Sequence, residues 1–230
     1  MTPKYTLHYF NFTGRAEPVR LALAICGVPF TDKRITRDEL MAGKASGFLP
    51  YGTVPILEVE MEDGKKDVIA ETAAIMAYIV AAHGAAAGMA RTDPLDIARV
   101  EEIRSAADGM FARIAATMSE KDEAKKMAVR AELAATVIPR KLAVRAELAI
   151  TVIPKTLAAI DARLRPDGHV CGDTLTSADL ILDGIVAWLA LGVLDGIPTT
   201  LVAPYANVER CRANVRAHPR VREWYASKQA

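Results

Sequence analysis

Apolar and polar positions alternate with a period of two from Tyr5 to Phe10, which puts Tyr5, Leu7 and Tyr9 on one face of a strand and leaves Tyr9 at its carboxyl end. A turn over residues 11–14 follows. From Arg15 onward, the apolar positions Val19, Leu21, Leu23, Ala24 and Ile25 predict a helix of about ten residues. Residues 31–35, 54–60 and 67–69 read as further strands, the last two joined across the Glu62-Asp63-Gly64 turn, with an irregular segment over 36–53. Helical spacing returns at 71–82 through Ala74, Ile75, Tyr78 and Ile79. Beyond Pro94 the strand pattern ceases, and helices are predicted over 95–118, 123–164, 178–191, 203–217 and 219–227. The expected fold class is therefore α/β plus all-α: a small α/β domain over 1–83, a linker over 84–93, and an all-helical domain over 94–230. The linker is rich in Gly and Ala and ends in the helix-start signal Thr92-Asp93-Pro94.

Inside the helical half, KMAVRAELAATVIPR (126–140) recurs at once as KLAVRAELAITVIPK (141–155), identical at twelve of fifteen positions. Two copies are too few for a solenoid. Fifteen residues at about 100° each turn the second apolar stripe about 60° from the first, so both copies cannot pack into one groove. One copy is expected to serve the core while the other protrudes, covers a neighbour or bends away at Pro139.

Composition narrows the partners. The chain has 230 residues and a formal net charge of +1, with no Lys/Arg-rich arm, so nucleic acid is not an expected partner. Residues 72–90 lack Asp, Glu, Lys and Arg, but Gly84 and Gly88 break them, and they read as a buried helix and a loop rather than a membrane span. The first thirty residues read as structure rather than a leader, which makes the cytoplasm the expected compartment. Cys26, Cys171 and Cys211 are odd in number and widely spaced, and they and the four histidines lack metal-ligand spacing, so no metal site is expected.

Three short runs carry candidate chemistry. Tyr9 ends a strand where open α/β sheets bind ligands. Pro55 opens a strand, and although most X–Pro bonds are trans, a cis Val54-Pro55 bond would free the Val54 amide and carbonyl to pair with a peptide-like ligand. Glu71-Thr72 opens a helix, where Thr72 either caps the helix or binds an anion and Glu71 would suit a cation. In Leu175-Thr176-Ser177-Ala178-Asp179-Leu180, the Thr176/Asp179 spacing is a capping box and Leu175/Leu180 a hydrophobic staple, which reads as structural.

Taken in order, HYFNFTGRAEPVR (8–20), PYGTVPILEV (50–59), AETAAIMAYI (70–79) and LTSADL (175–180) resemble the cytosolic glutathione transferases, and the tyrosine-type, sigma-like members most closely. The resemblance implies a thioredoxin-like glutathione-binding domain followed by a helical domain that supplies most of the pocket for an apolar electrophile. It implies Tyr9 as the catalytic hydroxyl and Phe10 and Arg15 as residues on the sulfur side. Val54, before Pro55, would pair with the cysteinyl backbone, and Glu71 and Thr72 would receive the γ-glutamyl end. Lys44 and Thr53 fall at the glycine end, where residues 40–49 lack the tryptophan usual in sigma-like members. Asp108 would reach the glutathione of a partner subunit. Phe12, Met110, Phe111 and Ile114 would line the electrophile pocket, with plain core packing as their alternative. Glutathione as co-substrate and a homodimer are implied with these. The family's helix proline matches Pro154, which makes the first repeat copy the insertion. A prostaglandin D synthase-type isomerase and a non-catalytic binding or structural protein, such as a lens crystallin, are the competing functions.

Overall fold

The computed structural model describes residues 3–116 and 138–228. Strand β1 (Lys4–Tyr9) lies at the centre of a four-stranded sheet ordered β2-β1-β3-β4, where β2 is Phe30–Arg34, β3 Ile56–Glu60 and β4 Lys66–Ala70. β1 runs parallel to β2, which requires a crossover, and helix α1 (Glu17–Ile25) provides it after a 3₁₀ turn at Gly14–Ala16. β3 and β4 are antiparallel neighbours, with Ile56 opposite both His8 and Ala70.

The period of two divides the sheet into two different faces. Tyr5, Leu7 and Tyr9 join Leu57 and Val59 in the main core, beneath α1 and α3 (Thr72–His83). His8 and Ile56 face the other way, where Leu49, Ile56 and Ala70 form a small separate cluster. That second face is covered by α2 (Arg37–Ala45), a helix with no buried residue. It lies inside the stretch expected to be irregular, because a helix that buries nothing carries no apolar stripe. Its start is nevertheless encoded: the Thr36 N–H donates to Glu39 Oε2 and the Glu39 N–H to Thr36 Oγ1, a complete capping box.

The second half is helical: α4 (Pro94–Ala116), α5 (Ile138–Ile150), α6 (Val152–Arg163), α7 (Ser177–Ala190), α8 (Ala206–Ala217) and α9 (Pro219–Ala226). The continuous helix expected over 123–164 is corrected here. Its described part divides at Thr151, three residues before Pro154, whose missing N–H cannot continue the ladder. The bend that was one alternative at Pro139 depends on residues before Ile138, which lie outside the described residues. Most of the first repeat copy lies outside the described residues. The second copy contributes buried Ala149 and Ile153 and leaves Ile150 exposed.

α7 is the core of the helical half and touches α1, α3, α4 and α8. Asp179 starts it: the carboxylate accepts from the Thr176 N–H (2.7 Å) and hydroxyl (2.6 Å), and from the Val170 N–H (3.1 Å). Leu175 and Leu180 are both buried in the same core as the staple spacing predicts. Arg91 fastens the segment between the halves, donating to the carbonyls of Gly88, Cys171 and Thr174.

Candidate functional site

The carboxyl end of β1, the amino end of β3 and the carboxyl end of β4 fall on one edge of the sheet, because Ile56 pairs with both His8 and Ala70. Tyr9, Val54-Pro55 and Glu71-Thr72 are therefore neighbours by register, although they are far apart in sequence.

Tyr9 is 6% exposed, and its hydroxyl accepts a hydrogen bond from the Arg15 N–H at 3.2 Å. Burial pushes the phenol above its usual range, while that N–H and the charges of Arg15 and Arg20 pull it back part of the way. The group stays a protonated donor at neutral pH. The approach is close enough to require glycine at position 14: with φ at 47°, a Cβ there would stand 2.5 Å from the Tyr9 oxygen. Phe10 and Phe12 stack on each other, centroids 5.8 Å apart, and both meet Tyr9 edge-on. Phe12 is largely exposed, so it forms a rim beside the hydroxyl.

Arg15 joins this loop to the helical half. Its guanidinium lies 3.4 Å from Asp108 Oδ1 and 4.8 Å from the Phe111 ring centroid, and Phe111 packs on Trp188. Asp108 also lies 3.8 Å from Arg104, so within one chain this carboxylate is tied to two arginines. The Arg15 carbonyl accepts from the buried Thr72 hydroxyl at 3.1 Å. Glu71, exposed, precedes Thr72 with φ at 71°, a left-handed conformation that costs a non-glycine residue about 1–3 kcal/mol and is concentrated at functional sites.

The remaining candidates divide. Val54-Pro55 is cis, the form the strand opening left as an alternative. Lys44 is exposed at the end of α2, with its aliphatic stem beside Gly52, and Thr53 is exposed next to it. Met110 and Ile114 are fully buried members of the core, so they pack α4 rather than line an open surface. Helical spacing alone could not separate the two roles.

Sequence reasoning also missed Arg20, whose side chain is entirely buried. It donates to the carbonyls of Phe12 (3.2 Å) and Thr13 (3.1 Å), pairs with Glu17 and Asp32 (3.0 Å each), and lies 5.7 Å from the Tyr9 ring centroid. A charge inside the apolar stripe of a helix, with an acid on the following strand, was the signal available. Among the described residues no three His, Cys, Asp or Glu side chains converge as metal ligands, and no helix is long and apolar enough to cross a membrane.

Two family models match the chain: "Glutathione S-transferase, N-terminal domain" over residues 15–82 and "Glutathione S-transferase, C-terminal domain" over 143–228. Glutathione S-transferase 1 of Ascaris suum is 28% identical, over 98% of this chain and 97% of its own. Among solved structures, a glutathione S-transferase from Ascaris lumbricoides is 27% identical with a TM-score of 0.67, covering 98% of this chain and 97% of the other. A prostaglandin synthase D of Nilaparvata lugens superposes with a TM-score of 0.75 at 23% identity, covering 98% of each chain, a likeness of fold.

Proposed function

The chain belongs to the glutathione S-transferase family, and from that premise we propose that Tyr9 activates the thiol of glutathione for attack on apolar electrophiles. The observation that carries this reading is the Tyr9 hydroxyl itself, buried, protonated and oriented by the Arg15 N–H at the ligand-facing edge of the sheet. A free thiol titrates near about 8.5 and is mostly protonated at neutral pH. Lowering it by about two units takes about 2.7 kcal/mol of preference for the thiolate. A hydrogen bond to a charged partner contributes about 1.5–3 kcal/mol, so one tyrosine hydroxyl supplies most of that preference.

In this reading Val54 pairs with the cysteinyl backbone, Glu71 and Thr72 hold the γ-glutamyl end, and Lys44 and Thr53 stand at the glycine end. The strained Glu71 backbone supports that assignment, since a simple capping role would not require it. Phe10 and Phe12 border the sulfur, and Phe111 offers an apolar wall toward the electrophile. The division into a glutathione-binding domain over 1–83, a linker over 84–93 and a helical domain over 94–230 belongs to the same proposal, as do a cytoplasmic location and assembly into a homodimer. So does the reading of residues 126–140 as an insertion; the C-terminal family model begins at residue 143, within the second copy, which favours it.

The test is conjugation of glutathione to a chlorodinitrobenzene-type electrophile by the wild type and by Tyr9→Phe. The expected result is turnover by the wild type and a loss of about 10- to 100-fold in kcat/KM in the variant, the kinetic equivalent of that hydrogen bond. Glutathione binding without turnover in the wild type would place the protein among non-catalytic members instead.

A further inference from the structure

Alternation along β2 puts Phe30, Asp32 and Arg34 on the face of the sheet that carries Tyr9, because the parallel register sets them beside Tyr5, Leu7 and Tyr9 in turn. Arg34 thus ends its strand where Tyr9 ends β1, and the Ile35 N–H donates to the Tyr9 carbonyl at 2.8 Å. From there its guanidinium reaches the loop that follows Tyr9. Nη1 donates to the carbonyls of Phe10 and Phe12, at 3.3 Å each, while Nε (3.0 Å) and Nη2 (2.6 Å) both donate to Asp32 Oδ2. The other Asp32 oxygen accepts from Nε of the buried Arg20 at 3.0 Å, and Arg20 Nη1 donates to the Phe12 carbonyl at 3.2 Å. One nearly buried carboxylate therefore aims two guanidinium groups at a single carbonyl, that of Phe12.

That convergence fixes the backbone of a residue whose side chain burial does not fix. The Phe12 ring is 55% exposed. Its ring contacts are with Phe10, nearly parallel at 8°, and with Tyr9, edge-on with centroids 5.2 Å apart. The Phe12 N–H closes the turn onto the Phe10 carbonyl at 2.8 Å. An apolar ring left in water gains little burial from one position over another, so the backbone sets where its open face lies. Arginine suits that task. Its charged N–H groups bond acceptors about twice as strongly as neutral ones do, and the planar fork fixes their direction.

We infer that Arg34 is a positioning residue: through the Phe12 carbonyl it holds the Phe12 ring as a platform that selects electrophiles carrying a flat aromatic ring. This role rests on the glutathione site proposed above at the Tyr9 edge and names the class of electrophile that site prefers. A flat ring gains from stacking on an aromatic face beyond the area it buries, and a small alkyl group does not. Arg34 is itself 29% exposed, and Asp32 keeps Arg20 (3.0 Å) and Lys228 (3.6 Å) as partners without it. Replacing Arg34 therefore removes the clamp and leaves no buried charge unpaired.

Calorimetric binding of two glutathione conjugates to the full-length protein tests this role: S-dinitrophenylglutathione, which carries a flat ring, and S-methylglutathione, which carries none. Arg34→Met should bind the dinitrophenyl conjugate about tenfold more weakly and the methyl conjugate within about twofold of the wild type. Phe12→Ala should show the same selective loss, and the double variant no more than Phe12→Ala alone, since both changes remove one platform. Arg34→Lys keeps a charge beside Asp32 without the fork and should lose the same selectivity, so the comparison stands even if thermal melts show the methionine variant to be unfolded. Equal losses for the two conjugates, no loss for either, or an additional loss in the double variant would overturn the role of Arg34. A wild type that binds neither conjugate would remove the glutathione site and this role with it. A wild type without turnover whose variants still show the selective loss would strike the role of Tyr9 and leave that of Arg34 standing.

Discussion

The α-carbon of Gly14 approaches the Tyr9 hydroxyl so closely that a Cβ at residue 14 would stand 2.5 Å from the oxygen. Gly14→Ala therefore meets two obstacles, a left-handed backbone that costs an L-residue about 1–2 kcal/mol and a collision with the hydroxyl. Displacement of the phenol is the expected relief. We expect kcat/KM to fall about tenfold or more, with a lowered melting temperature, since small misplacements of a reacting group are expensive. Unchanged kinetics in a destabilised variant would show that Tyr9 is held by something other than this loop.

Asp108 and Arg15 face each other across the two halves at 3.4 Å, with both side chains about one-quarter to one-third exposed. Pairs of that kind contribute about 0–1 kcal/mol. Arg15 also keeps its contact with Phe111, so Asp108→Asn should lower stability by no more than about 1 kcal/mol and kcat/KM by no more than about fivefold. Chemical denaturation and steady-state kinetics measure the two effects separately. A far larger kinetic loss at unchanged stability would mean that Asp108 touches the ligand directly.

Asp179 is buried among donors, with the Thr176 and Val170 amides and the Thr176 hydroxyl all directed at its carboxylate. Burial raises its proton affinity and those donors counter it. Asp179→Ala leaves several buried donors without an acceptor, each costing about 1–3 kcal/mol, so a loss of about 3 kcal/mol or more is expected in urea denaturation. Thr176→Val should cost less, about 1–2 kcal/mol. Equal and small losses would contradict the network.

Stability on the acid side should depend on His8. Its folded form resists protonation because of burial and Lys33, while the unfolded chain takes up a proton near the ordinary value of about 6.5. As pH falls through that value the unfolded state binds more protons, and stability drops until the folded imidazole titrates as well. Denaturation midpoints measured from pH 8 to pH 5 should fall less steeply in His8→Gln than in the wild type. Parallel curves would remove His8 from the account.

The elements that pack against the main core were legible because packing imposes a period. Tyr5, Leu7 and Tyr9 announce the strand, and Ile75 and Ile79 the helix beneath it. α2 left no such trace, since nothing on it is buried, and only Thr36 and Glu39 mark where it begins. The break at Thr151 was hidden by a repeat that continues in helical spacing across it. For the site, the residue types of Tyr9, Val54-Pro55 and Glu71-Thr72 were readable, while Gly14 and Arg20 owe their importance to proximity, which periodicity does not record. Met110 and Ile114 show the converse, since an apolar side chain reads the same whether it faces a ligand or a neighbouring helix.

α1 is buried nearly all round, with α3 against one part of it and α7 and α9 against another. Each half of the molecule thus treats the same helix as part of its own interior. A protease that cut between Gly84 and Asp93 would sever the chain without separating the pieces, because parting them would bring Val19, Leu21, Leu23 and Ile25 into water together. Melting of either half would likewise draw in the other, and the protein should come apart in a single step.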